Sequence, residues 1–121
     1  STHSLTLGED DETLYAAAGG AGLWQSQDGG RNCAPVQNLP DNDVIAVAYV
    51  RGSSRLYVTT AEPAAGLYYS DDDGQTWVST GLNETLLAVA VSELDPDHVI
   101  AVNARGEVFA SRDSGISWST E

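Results

Sequence analysis

One octapeptide, present three times, constrains this chain more than anything else in it. Ser26-Gln27-Asp28-Gly29-Gly30-Arg31-Asn32-Cys33, Ser70-Asp71-Asp72-Asp73-Gly74-Gln75-Thr76-Trp77 and Ser111-Arg112-Asp113-Ser114-Gly115-Ile116-Ser117-Trp118 share the pattern Ser-x-Asp-x-Gly-x-x-Trp, with Cys33 replacing the aromatic in the first copy. The serines lie 44 and then 41 residues apart. A period of that size belongs to propellers, solenoids and other arrays that stack one supersecondary unit on the next.

Each copy is a polar cluster between two short apolar stretches, which reads as a hairpin turn. Ser26, Ser70 and Ser111 with Asp28, Asp72 and Asp113 can bond the backbone N–H groups of their own turn. Gly30, Gly74 and Gly115 sit where a positive φ is expected. Trp77 and Trp118 then open the outgoing strand and cover the hairpin with a large apolar face. The pattern describes a turn lock rather than a catalytic set of aspartates.

Aligned on the serines, the rest of each repeat supplies three further strands. The first strands are Leu5–Leu7, Val44–Tyr49 and Leu86–Val91, whose near-continuous apolar character fits burial on both faces. The second strands are Thr13–Ala18, Arg55–Thr60 and His98–Asn103; the third are Gly22–Ser26, Gly66–Ser70 and Glu107–Ser111. Trp24, Tyr68 and Phe109 fall in one column, so an aromatic is wanted there between neighbouring units. Short outer strands follow near Cys33–Val36, Thr76–Thr80 and Ser117–Thr120. No stretch carries a convincing helical period. The predicted class is all-β, with three four-stranded antiparallel blades of a propeller: blade 1 about 4–38, blade 2 about 43–81 and blade 3 about 85–121. The loop Ala61–Ala65 exceeds its counterparts and is the insertion best placed to reach a ligand or a neighbour.

The octapeptide resembles the Asp-box, or bacterial neuraminidase repeat. That family includes sialidases, sortilin-type receptors, some cellulose- and xyloglucan-degrading hydrolases and the photosystem II assembly propellers. The resemblance implies a structural role for the motif, joining the third and fourth strands of a blade on the rim, away from any active site. It tilts the expected location towards a secreted or extracytoplasmic one. A sialidase of this family would need an arginine cluster, a Tyr-Glu pair and an acidic Asp. Here Arg51 and Arg55 fall in a turn and at a strand start, while Arg31 and Arg112 fall in the boxes, so the family's catalytic arginines have no match.

The net charge of −13 comes from 18 acids against five arginines, without lysine. Such a field repels phosphate backbones and anionic membranes, which disfavours nucleic acid and membrane surfaces as partners. No apolar run approaches a membrane-spanning helix. The first residue is Ser rather than Met, as in a processed or trimmed chain. A single cysteine, Cys33, excludes an internal disulfide and is expected buried as a small hydrophobe, the alternative being a reactive or bridging thiol. The acids cluster in turns, where Asp is selected for backbone reasons, rather than as two carboxylates converging on a cleft. Asp71-Asp72-Asp73 is followed at its twelfth position by Leu82, which excludes an EF-hand. His3 and His98 occupy non-equivalent positions, against a paired zinc site. No catalytic residue, metal or cofactor is therefore expected.

Propellers close with roughly 4–8 blades. Three leave two terminal sheet faces open, and the repeat register begins and ends on blade boundaries. Two copies related by a two-fold axis would close a six-bladed ring through two equivalent interfaces, so a homodimer is expected. A larger parent propeller, of which this is a segment, would offer the same neighbours. The loop-built face of a closed ring suits a protein, peptide or glycan ligand; Tyr49, Tyr57 and Tyr69 are candidate lining, with core packing or cover of a strand edge an equal expectation for them. The competing class is a glycoside-hydrolase-like or sialidase-like enzyme with its catalytic residues on other blades.

Overall fold

The structure, a computed structural model, describes residues 4–121, so His3 lies outside it. The described chain is all strand and turn, without a helix. Blade 1 comprises β1 (Ser4–Leu7), β2 (Leu14–Ala17), β3 (Leu23–Ser26) and β4 (Ala34–Pro35). Blade 2 comprises β5 (Val44–Val50), β6 (Arg55–Thr60), β7 (Gly66–Ser70) and β8 (Val78–Ser79). Blade 3 comprises β9 (Leu86–Val91), β10 (Val99–Asn103), β11 (Val108–Ser111) and β12 (Ser119–Thr120). Each blade is a four-stranded sheet in chain order with antiparallel neighbours. Short turns make that order the simplest one, since each strand pairs with the next.

Register makes the three blades superimposable by residue. Leu14 pairs with Ser26, Leu56 with Ser70 and Val99 with Ser111. Trp24, Tyr68 and Phe109 then sit opposite Ala16, Val58 and Ala101, the single column read from the sequence. The outer strands are only two residues long, shorter than the sequence reading, because the turn holds Asn32, Thr76 and Ser117 out of the ladder.

The core lies between the blades. Strand alternation sends Tyr15, Ala17 and Leu23 of blade 1 against Val44, Val47, Leu56 and Val58 of blade 2. The next seam buries Val50, Tyr57 and Leu67 against Leu86, Val99 and Ala101. Full burial of a side chain such as Leu67 contributes about 1.5–3 kcal/mol, and each seam gathers several. Polar contacts support this packing. Ser4 and Thr6 side chains bond the exposed backbone edge of β5 at Val47 and Tyr49, and Gly19 exchanges two backbone bonds with Val44.

The expectation that every inner strand is buried on both faces holds for β5 alone. In β1, Leu5 and Leu7 are 67% and 45% exposed, and in β9 Leu87 is 51% exposed. The cause is position: β5 has a blade on each side, whereas β1 and β9 belong to terminal blades. Cys33 is likewise exposed rather than buried, because the seam that covers its counterparts Trp77 and Trp118 has no equivalent before blade 1.

Candidate interaction surfaces

One end of the blades carries the β1–β2, β5–β6 and β9–β10 turns together with the three repeated turns, and all of these except the β5–β6 turn, Arg51–Ser54, contain acids. The three repeated turns share one hydrogen-bond plan. Ser26, Ser70 and Ser111 are buried, and each Oγ accepts from the glycine N–H four residues on, at 2.8, 2.9 and 2.8 Å. Each serine hydroxyl donates to the aspartate Oδ1, from Ser26 to Asp28, Ser70 to Asp72 and Ser111 to Asp113. That oxygen also accepts from the backbone N–H of Asn32, Thr76 or Ser117, each at 2.9 Å. The second carboxylate oxygen accepts from the side chains of the same three residues. These donors hold the carboxyls of Asp72 and Asp113 down at about 2, chiefly through the Thr76 and Ser117 hydroxyls, and Asp28 is lowered by Asn32. These bonds take up most of each carboxylate's acceptor sites and hold it against its own turn.

The backbone follows the same plan. Gly30, Gly74 and Gly115 have φ of 96°, 86° and 83°, preceded by Gly29, Asp73 and Ser114, which are also left-handed. Trp77 and Trp118 donate their indole N–H to the carbonyls of Gly74 and Gly115 at 3.0 and 3.1 Å. Both rings close the seam with the preceding blade, and Gly74 and Gly115 are buried beneath it. Gly30 and Cys33, the first-copy equivalents, face solvent.

At this end the seams carry polar locks as well. Across the first, Tyr49 donates its hydroxyl to Glu9 at 2.7 Å, the Gly52 N–H donates to the same carboxylate, and Arg51 Nε reaches the Gly8 carbonyl. Burial and the Glu9 carboxylate push the Tyr49 hydroxyl up to about 12. Across the second, Arg55 Nη1 donates to the Ser114 carbonyl at 3.0 Å, while within blade 2 the same guanidinium grips Asp71 through two bonds and lies 3.9 Å from the Tyr69 ring centroid. Where the inner strands end, Leu7, Tyr49, Arg51, Ser92, Glu93 and Pro96 line a cleft of about 720 Å³.

The three candidate tyrosines do not form a binding face. Tyr57 is 1% exposed inside the second seam, Tyr49 stacks on Tyr15 at 5.8 Å, and Tyr69 lies under Arg55. Alternation of β6 turns Tyr57 into the core, and pairing consumes the other two faces. The remaining arginines are equally occupied or remote: Arg51 pairs with Asp11, Arg105 with Glu84 and Glu107, and Arg31 and Arg112 are exposed on the repeated turns. His98 precedes β10, half-buried. Among the described residues no three His, Cys, Asp or Glu side chains are gathered to hold a metal ion.

At the opposite end, the blade connectors and the β2–β3, β6–β7 and β10–β11 loops form the other face. The Ala61–Ala65 insertion is tied down rather than free: Thr60 Oγ1 and the Tyr68 hydroxyl both donate to the Ala64 carbonyl, and the Ala64 N–H reaches Asp41. Asn103, which the motif reading passes over, organises the corresponding loop of blade 3. Its Oδ1 accepts from the N–H groups of Arg105 and Glu107, and its Nδ2 donates to Glu84 and Glu107. Its signal was a lone amide in a column otherwise held by Ala18 and Thr60.

No protein-family model and no curated protein matches the sequence. Solved structures do share the fold. An ancestral GH74 enzyme superimposes with a TM-score of 0.82 at 23% identity, over 98% of this chain and 18% of that one. A GH74 enzyme of Niastella koreensis gives 0.78 at 15% identity, over 99% of this chain and 18% of its own. YCF48 bound to D1 peptide gives 0.77 at 19% identity, over 99% of this chain and 40% of that one. At these identities the likeness is one of fold, a β-propeller, and this chain spans a fraction of each neighbour's length.

Proposed function

We propose that the chain is a non-catalytic Asp-box propeller module, a scaffold for protein or peptide contacts that self-associates to cover its terminal blades. The observation carrying this reading is the pair of half-open sheet faces, exemplified by Leu5 at 67% and Leu7 at 45% exposure, beside two seams in which the equivalent positions, Val47 and Tyr49 in one and Val89 and Val91 in the other, are buried or half-buried. Apolar sheet faces left open to water mark an interaction site. The occupied state of the turn carboxylates and the tyrosine faces supports the non-catalytic part. The peptide carried by a YCF48 neighbour supports a peptide as the class of ligand, in preference to a glycan.

A six-bladed ring of two copies is the assembly proposed, each blade 3 meeting the other copy's blade 1. Sedimentation or light scattering of the 121-residue chain tests it. Twice the chain mass at micromolar concentration is expected, and a monomer that unfolds cooperatively at that concentration overturns it. The likeness to GH74 enzymes favours a second reading, a portion of a glycoside hydrolase whose catalytic groups lie on other blades. A fluorogenic glycoside assay separates the two: turnover by this chain alone would sink the scaffold reading.

A further inference from the structure

The two seams within the chain are built in one register, and that register specifies a third. In both, the leading sheet presents a β2-type residue from the side of Tyr15 and Tyr57, with Leu23 and Leu67 beside it. The following sheet presents Leu56 and Val58 in one seam and Val99 and Ala101 in the other. A tryptophan then seals the rim, and a turn glycine is pressed against the outer strand of the leading blade. A Cβ on Gly74 would come within 2.8 Å of Val36 Cγ1, and one on Gly115 within 3.5 Å of Thr80 Cγ2.

One trailing side and one leading side are unused. The side of blade 1 that corresponds to Leu56, Val58 and Tyr68 carries Leu14, Ala16 and Trp24, all only half-buried. The side of blade 3 that corresponds to Tyr57, Thr59 and Leu67 carries Ile100, Val102 and Val108, also half-buried. These two sides differ in kind, as the two halves of each in-chain seam do, so a single copy cannot pair like with like. A second copy supplies both missing halves at once.

We propose that two copies meet in the register of the in-chain seams, Leu14, Ala16 and Trp24 of one against Ile100, Val102 and Val108 of the other, with Cys33 where the other seams have an indole. This rests on the self-association proposed above. The copy-to-copy seam is thinner than the other two, because Cys33 replaces tryptophan and Ile100 replaces tyrosine, and it lacks the Arg55 and Glu9 locks. The ring therefore opens there and nowhere else, and the Cys33 thiol is covered when the ring is closed and bare when it is open.

The test combines thiol reactivity with association constants for the intact chain. Reaction of Cys33 with a disulfide reagent is followed across a dilution series whose oligomer distribution is read by sedimentation. The thiol should be protected in step with association. Cys33→Trp should restore the seal over Gly30 and tighten association by about tenfold or more. Ile100→Asp should leave monomers, whereas Leu94→Asp, adding the same charge at a 99% exposed site outside the seam, should change nothing. Dimers whose Cys33 reacts as fast as in the monomer, or whose affinity ignores Ile100→Asp, would overturn the register while self-association stands. A wild-type chain monomeric at every concentration would remove the premise as well. Should Cys33→Trp fail to fold, the protection of the wild-type thiol still decides.

Discussion

Arg55 donates from Nη1 to the carbonyl oxygen of Ser114, 3.0 Å away across the seam between blades 2 and 3. The same guanidinium holds Asp71 through Nε and Nη2 at 2.8 and 2.9 Å and covers the Tyr69 ring. One side chain thus joins the start of β6, the repeated turn of its own blade and the repeated turn of the next. Lysine keeps the charge but loses the planar fork and the stacking. Arg55→Lys is expected to cost about 1–2 kcal/mol in urea unfolding at fixed protein concentration, and Arg55→Ala somewhat more. An Arg55→Lys midpoint equal to wild type would show that this clamp contributes no stability.

Acid should unfold the protein in a window set by the turn aspartates. In the folded chain Asp72 and Asp113 titrate at about 2, below their ordinary 3.8, because the charged form accepts several hydrogen bonds. A depressed carboxyl contributes its full stability above the unfolded value and loses it as pH falls through the folded one. Stability should therefore decline from about pH 4 to about pH 2. Protonation of the other acids relieves repulsion over the same range, so the comparison that isolates the turns is with the Asp72→Asn, Asp113→Asn double variant. Its unfolding free energy, followed by tryptophan fluorescence, should be lower at neutral pH and flatter below pH 4. An unchanged slope would mean that other carboxyls govern acid unfolding.

The blades were legible in the sequence because each device is local. A turn that bonds its own backbone, a glycine for positive φ and an alternating apolar column are all written within one repeat. What escaped depends on a neighbour or on a shared chemistry hidden by residue type. Asn32, Thr76 and Ser117 differ as letters, yet each supplies a side-chain donor to its aspartate. A column comparison by hydrogen-bonding capacity, rather than by identity, would have found them. Cys33 was misplaced because its burial is set by the blade before it, and Tyr57 stayed open between lining and core because a tyrosine on a strand reads as either face until the register is known.

The repeated glycines should not be equally replaceable. Gly74 and Gly115 share a left-handed backbone, for which a Cβ costs about 1 kcal/mol. At Gly115 the added carbon meets only ordinary contacts, the nearest at 3.5 Å. At Gly74 it lies 2.8 Å from Val36 Cγ1, which is packed in the first seam and must shift. Gly74→Ala is therefore expected to destabilise more than Gly115→Ala by about 1 kcal/mol or more, the scale of an overpacked core. Equal midpoints in urea would show that the first seam yields without cost.

Thr59 offers a change in the opposite direction. It is wholly buried on the blade 2 side that faces blade 3, and its Oγ1 has no hydrogen-bond partner among the described residues. A hydroxyl in that state loses its water and gains nothing in return, a penalty of about 1–3 kcal/mol. Valine has nearly the same shape, keeps the β-branch that suits a strand and removes the orphaned group. Thr59→Val is thus expected to stabilise the fold by about 1 kcal/mol, read as a higher urea midpoint with an unchanged slope. A loss of stability instead would show that the hydroxyl is satisfied in solution, by a water held within the seam.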